Sequence, residues 1–187
     1  MATIVEIEFQ GAQELNDLFK QIQNDFGSKD ASKILRNAVR LSMKPVLEKA
    51  KASAPKDTGG LAASLQVETR RPSRKDRGSK YIEEGDSVIG LVTTASGKKL
   101  SKRQFTNINT GEKESFVTIN KTVKGKQVIN NDQRAAAMEF GTSKVGSKPF
   151  LRSSLESSSQ SVASSLGQSL KITLEKYKAK QAKKGIV

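Results

Sequence analysis

The sequence contains neither cysteine nor histidine. Their absence excludes disulfides, thiolate zinc sites, Cys- or His-based nucleophile–base pairs and imidazole metal ligands, so no cofactor or metal is expected. Tryptophan is also absent and aromatic residues are only 5% of the chain. Phe9, Phe19 and Phe26 fall in apolar stripes, which leaves few rings to stack on bases. No run of about 18 apolar residues occurs, so no membrane span is expected. Met1 to Glu6 lacks a basic segment followed by an apolar core, so no signal peptide is expected and the chain reads as soluble and cytoplasmic. No Gly-rich phosphate loop of the Walker type is present.

What is abundant is positive charge. The net charge is +14, yet residues 1–69 carry nine basic and nine acidic side chains, so residues 70–187 supply the whole excess. A balanced front part and a basic remainder imply a neutral packed core with basic loops and a basic tail. Such loops attract nucleic acid, acidic protein faces or anionic lipid.

The length fits one domain. Val5, Ile7 and Phe9 alternate with Glu6 and Glu8, predicting a strand over 3–9. Leu15, Leu18, Phe19, Ile22 and Phe26 have helical spacing up to Gly27. A second helix is predicted from about Lys29 to Ser53, with Pro45 bending it. Ala54 to Gly60 is a turn rich in conformational breakers. Leu65, Val67 and Thr69 alternate in a strand, and Val88–Val92 forms another. Residues 70–80 hold six basic side chains and one acid and read as an exposed loop, open to disorder. Residues 96–131 read as a hairpin-like insertion with a strand at Phe116–Ile119 and a tip at Lys124-Gly125-Lys126. Leu151, Leu155, Val162, Leu166, Leu170, Leu174 and Tyr177 share one helical stripe, predicting a long last helix ending in a lysine-rich tail. Nine of the seventeen residues from Ser153 to Ser169 are serine, so this helix must depend on packing more than on propensity.

Two carboxylates invite a catalytic reading, because Asp57 and Glu139 each lie beside a Gly–Thr element. Asp57 follows Pro55-Lys56 after a helix, where aspartate is an ordinary turn or capping residue. A hydrolase built on either would lose its activity in Asp57→Asn or Glu139→Gln. The clusters Arg70, Arg71, Arg74, Lys75 and Arg77, and Lys98, Lys99, Lys102 and Arg103, are candidates for contact with DNA or an acidic partner; solvated loops are the plainer reading. Glu139-Phe140-Gly141-Thr142 and Pro149-Phe150-Leu151-Arg152 read as a strand–turn–helix corner. There Gly141 follows a buried aromatic, Pro149 sets the helix entry, Phe150 and Leu151 are buried, and Arg152 can pair with a carboxylate.

Three elements in order carry a resemblance. They are Ala54-Pro55-Lys56-Asp57-Thr58-Gly59-Gly60-Leu61 after a long helix, then Glu139-Phe140-Gly141-Thr142, then Pro149-Phe150-Leu151-Arg152 opening a C-terminal helix. Over roughly residues 10–175 the chain resembles the tail-component, or tail-completion, family of long-tailed bacteriophages, whose members sit in the neck where head joins tail. Ala135-Ala136-Ala137 stands where that family often has an aromatic, Ser153-Ser154 where Pro-Ala is common, and 96–131 is longer than the family needs.

The resemblance implies an α+β fold: an antiparallel sheet packed with two N-terminal helices and a long C-terminal helix, with extended basic loops. The core would span about 1–69, 81–95 and 132–175, with a basic loop at 70–80, the insertion at 96–131 and the tail at 176–187. It further implies a homo-oligomeric ring, no catalytic residues, and a place in the virion neck after assembly in the host cytoplasm. Partners would be the tail terminator, the head-closure or adaptor proteins, the tape-measure protein's end, and viral DNA through non-specific contact. Asp57, Thr58, Gly59 and the two later motifs would set fold corners and interfaces. The competing reading is a free-standing basic nucleic-acid-binding protein.

Overall fold

The computed structural model describes residues 12–78, 82, 87–100, 102–116, 120–123, 126–129 and 134–182. The strand expected at 3–9 and the last lysines, Lys183 and Lys184, lie outside the described residues. The class is α+β with a long C-terminal helix. The helices are α1 (Ala12–Ser42), α2 (Lys44–Ser53), α3 (Gly60–Ser64), α4 (Gly97–Leu100), α5 (Arg134–Phe140), α6 (Leu151–Glu156) and α7 (Ser159–Ala182). The strands are β1 (Leu65–Arg70), β2 (Ile89–Thr94), β3 (Gln104–Thr106), β4 (Lys113–Ser115), β5 (Asn120–Val123) and β6 (Lys126–Ile129). Instead of one sheet, the described strands form three pairs: β1 with β2, β3 with β4 and β5 with β6.

Helix ends follow the chain's special residues. α1 is two helical stretches meeting at Gly27, whose φ of 75° and ψ of 157° interrupt the helix where the periodicity stops. The predicted bend at Pro45 is instead a break at Met43, so proline lies in the first turn of α2. There its missing N–H forfeits no helical bond. The long last helix is likewise two helices, parted by a turn at Ser157 and Ser158. Ser153 Oγ donates to Pro149 O, Ser154 Oγ to Phe150 O and Ser157 Oγ to Ser153 O, at 2.9, 2.6 and 2.6 Å. Hydroxyls bonded to the carbonyl four residues back compete with the helical ladder and bend it.

The described residues cluster into two compact units: those within 1–44, 69–91 and 159–187 form the first, and those within 45–68 and 92–158 the second. In the first, α7 packs along α1. Ile22, Ala31, Ile34, Ala38 and Leu170 are buried, flanked by Phe26, Leu166, Leu174 and Tyr177. The Phe26 and Tyr177 rings meet edge to face at 5.2 Å. The apolar stripe of the sequence is thus present from Leu166 onward. Lys176 and the lysines up to residue 180 still belong to α7.

Gly90 of β2 lies against α1: a Cβ there would sit 2.8 Å from Val39 Cγ1 and 3.1 Å from Met43 Cγ. Methionine can yield, but branched Val39 cannot. Gly90→Ala should therefore cost about 1–3 kcal/mol by overpacking, read as a lower denaturant midpoint with unchanged slope.

In the second unit, Ala50, Ala54, Leu61, Leu65, Ala135 and Phe150 form one cluster, with Leu47, Val92, Met138 and Leu151 packed on it. A smaller cluster holds Ala95, Leu100 and Phe116 beside Ala63 and Phe105. The antiparallel pair β3–β4 puts Gln104 opposite Ser115 and Thr106 opposite Lys113. Of the strand expected at Phe116–Ile119, Phe116 follows β4 as a buried core residue, and 117–119 lie outside the described residues. β5 and β6 pair Val123 with Lys126, bracketing the expected hairpin tip.

Candidate functional site

The three motif segments converge in the second unit. Leu61 from the first, Ala135 and Met138 from the helix leading to the second, and Phe150 and Leu151 from the third share one apolar cluster. Burial of these side chains brings the corner together.

At its centre is Glu139, only 3% exposed. Its carboxylate accepts the backbone N–H groups of Phe150, Leu151 and Arg152 at 3.0, 2.9 and 3.1 Å. Arg152 Nε adds an ion pair at 2.9 Å. The carboxylate thus satisfies the open donors at the start of α6 and meets its positive end. Phe150, at the N-cap position, has no side-chain oxygen to do this. Burial pushes the Glu139 carboxyl up. The N–H of Leu151, the Arg152 side chain and the N–H groups of Arg152 and Phe150 together outweigh that and hold it below the usual range.

The backbone between the two segments is equally fixed. Gly141 has φ 77°, and a Cβ there would lie 3.0 Å from Ser147 N. Thr142 N–H donates to Val145 O, and Thr142 Oγ1 accepts from Val145 N–H. Ser147 Oγ donates to Glu139 O at 2.8 Å, and Lys148 N–H to Met138 O at 2.7 Å. Ser147 and Lys148 were not among the expected site residues. Both act in the space between motifs, where spacing carries no signal.

Two expectations are corrected here. The corner is helix–turn–helix, because Glu139 and Phe140 end α5 and no strand. Phe140 is not buried: it is 72% exposed. Ala135 and Glu139, four apart, take the buried side of α5, and the next residue is turned about 100° away. The Arg152 guanidinium lies 5.4 Å from the centroid of the Phe140 ring, within cation–π range.

The Asp57-Thr58-Gly59 turn docks on another turn, that of Asn107–Gly111. Asn109 Nδ2 donates to Asp57 O, and Ile108 N–H to Thr58 O. Gly59, with φ 85°, caps α3, and buried Gly60 lies under Phe105 and Arg134. Asp57 is exposed. Among the described residues no group of three or more His, Cys, Asp or Glu could hold a metal, and no helix is long and apolar enough to cross a membrane.

The basic candidates divide. Arg70 forms a bidentate pair with Asp76, which also accepts from Ser73 N–H and Oγ; Arg70 and Ser73 hold its carboxyl well below the usual range. This pair orders the described part of the 70–80 loop, where Asp76–Gly78 is a 3-10 turn. Arg103 donates to Ala63 O, Ser64 O and Gln66 Oε1. Arg71, Arg74, Lys75, Arg77, Lys99 and Lys102 are exposed. Lys98 lies in α4 with its side chain outside the described residues.

The depressed carboxylates Glu139 and Asp76 have the same linkage sign, and Asp30, lowered by its hydrogen bond to Lys33, shares it. Their contribution is complete above the ordinary carboxyl range of about pH 4 and is lost as pH falls toward the folded-state values. The melting temperature should therefore fall below about pH 4, and more shallowly in Glu139→Gln, as calorimetry across acid pH would record.

Short helices and paired strands around a carboxylate-pinned motif corner define an α+β module. Over residues 17–141 the chain matches the family described as "Bacteriophage HK97-gp10, putative tail-component". The chain belongs to this HK97-gp10-like family of bacteriophage tail components. No curated protein matches it, and no solved structure does. The match includes Asp57-Thr58-Gly59 and Glu139-Phe140-Gly141 and stops short of the Pro149–Arg152 segment that Glu139 holds.

Proposed function

We propose that this chain is a neck component of the virion that works by docking and not by catalysis. It forms a ring of identical subunits that joins the tail to the capsid connector and leaves a passage for DNA. Tail-terminator and head-closure or adaptor proteins are its neighbours, with the end of the tape-measure protein a further contact. Membership of a tail-component family supports the setting. The single observation that carries the docking role is Phe140, displayed to solvent above Arg152 on a backbone pinned by a buried carboxylate. Aromatic and arginine anchors on rigid supports dominate protein interfaces. The Glu139 carboxylate, engaged by three N–H groups and a guanidinium, has no role left as a general base.

Phe140→Ser tests this. Size-exclusion chromatography with light scattering should show multi-subunit wild-type particles and at least about tenfold weaker association in the variant, since one anchor is worth about 1.4 kcal/mol or more. Stability should change by no more than about 0.5 kcal/mol, as for other surface changes. A wild-type chain that stays monomeric while binding DNA tightly would favour the free-standing nucleic-acid-binding reading instead.

A further inference from the structure

We propose that the first unit carries a face for the phosphate backbone of duplex DNA, built from Lys29, Lys33, Arg36 and Arg40 of α1 together with Arg71, the residue after β1. The four α1 residues recur at intervals of four, three and four. That spacing places them in one stripe about 60° wide, roughly opposite the core side of Ala31, Ile34 and Ala38. The stripe is about 16 Å long, enough to run beside several phosphates of a duplex carrying one charge per about 1.7 Å.

Contacts within the unit join Arg71 to this stripe. Arg71 reaches Ser32 Oγ at 3.4 Å, and Arg40 reaches Thr69 Oγ1 at 3.4 Å. Arg36 Nε donates to Ser32 O at 3.1 Å. Each of these bonds occupies one of five guanidinium N–H donors and orients the rest of the fork, the geometry that suits phosphate. Asp30 is the one acid between residues 26 and 47. Its pairing with Lys33 at 2.7 Å leaves the stripe strongly positive.

Duplex DNA is favoured over an acidic protein because the face has no apolar anchor. Ile172 is the one large exposed hydrophobic among the described residues of this unit, and it lies on α7. Protein interfaces need a desolvated apolar or aromatic centre, whereas phosphate contacts need only charge and donors. The same features imply binding without sequence preference.

The proposal goes beyond the ring reading and does not depend on it, since a monomer could present this face. The test uses the full chain and a labelled mixed-sequence duplex, with fluorescence anisotropy over a range of NaCl concentrations. Changing Lys33, Arg36, Arg40 and Arg71 together to glutamine should weaken binding at least about tenfold and flatten the log–log salt slope by about three to four. Changing Lys99 and Lys102 to glutamine should do neither. On the wild-type chain, independently of any folding defect in variants, duplex should protect Lys29 and Lys33 from acetylation more than Lys99 and Lys102. Absence of binding, equal loss in both variants, equal protection of both lysine pairs, or displacement of DNA by polyglutamate at matched charge would each overturn the proposal. Light scattering on the same samples reports the ring reading separately.

Discussion

Glu139→Ala is expected to destabilise the second unit by about 2–5 kcal/mol, from about 1–3 kcal/mol for each of two backbone N–H groups left without an acceptor. The cost follows from what the side chain leaves behind. Phe150 is 3% exposed, so its N–H and that of neighbouring Leu151 would lose their acceptor where water has little access. Arg152 contributes less, because its side chain is 60% exposed against 4% for Glu139 and water can solvate the freed guanidinium. Arg152→Ala should accordingly cost about 1 kcal/mol or less. Glu139→Gln, which keeps one acceptor oxygen, should fall between the two. Denaturant unfolding of the three variants gives the ranking; equal losses in Glu139→Ala and Arg152→Ala would mean the ion pair, and not the backbone capping, holds the corner. A loss of this size is a large part of a typical domain's 5–15 kcal/mol or so.

Leu170→Ala should cost about 3–4 kcal/mol, in the upper part of the range for buried leucines. Leu170 is fully buried between α7 and α1. Two of the residues around it are Ala31 and Ala38, which are too small to reach into the space it would vacate, so a cavity should persist. The consequence should extend beyond the cavity. Serine-rich α7 has little helical preference of its own, and Ser164, Ser165 and Thr173 hydroxyls bond back to its carbonyls. The variant should therefore lose hydrogen-exchange protection along α7 first. Unchanged protection there with normal stability would show that α7 does not rely on this contact.

The helices were legible because burial imposes a period. The spacing through Ile22 and Phe26, and again through Leu166, Leu170 and Leu174, matches the side chains that meet in the first unit. Gly27 and the strand at Leu65–Arg70 were legible for equally local reasons. The corner was legible as a set of residues but not as a geometry. Glu139 is bound to backbone N–H groups eleven to thirteen residues away, and backbone donors leave no mark in a sequence. Phe140 was expected inside because it is aromatic, whereas the residue that occupies the buried side is the acid before it. The α6–α7 break was hidden because an apolar stripe persists through Leu155, although that residue is 47% exposed. Net charge concealed the α1 stripe: residues 1–69 sum to zero, and only the helical period separates their cations onto one side.

The tail-component family gives the chain its setting, and the corner gives a physical account of how it could dock there. On the proposed docking reading, a carboxylate-capped turn that holds an aromatic and a guanidinium outward would leave assembly little further ordering of the subunit to do. Electron microscopy of the purified chain, alone and mixed with tail tubes, tests the central claim most directly. The account predicts closed rings seated at one end of the tubes, lost in Phe140→Ser while the variant remains folded. Monomers that never associate with tails would contradict it.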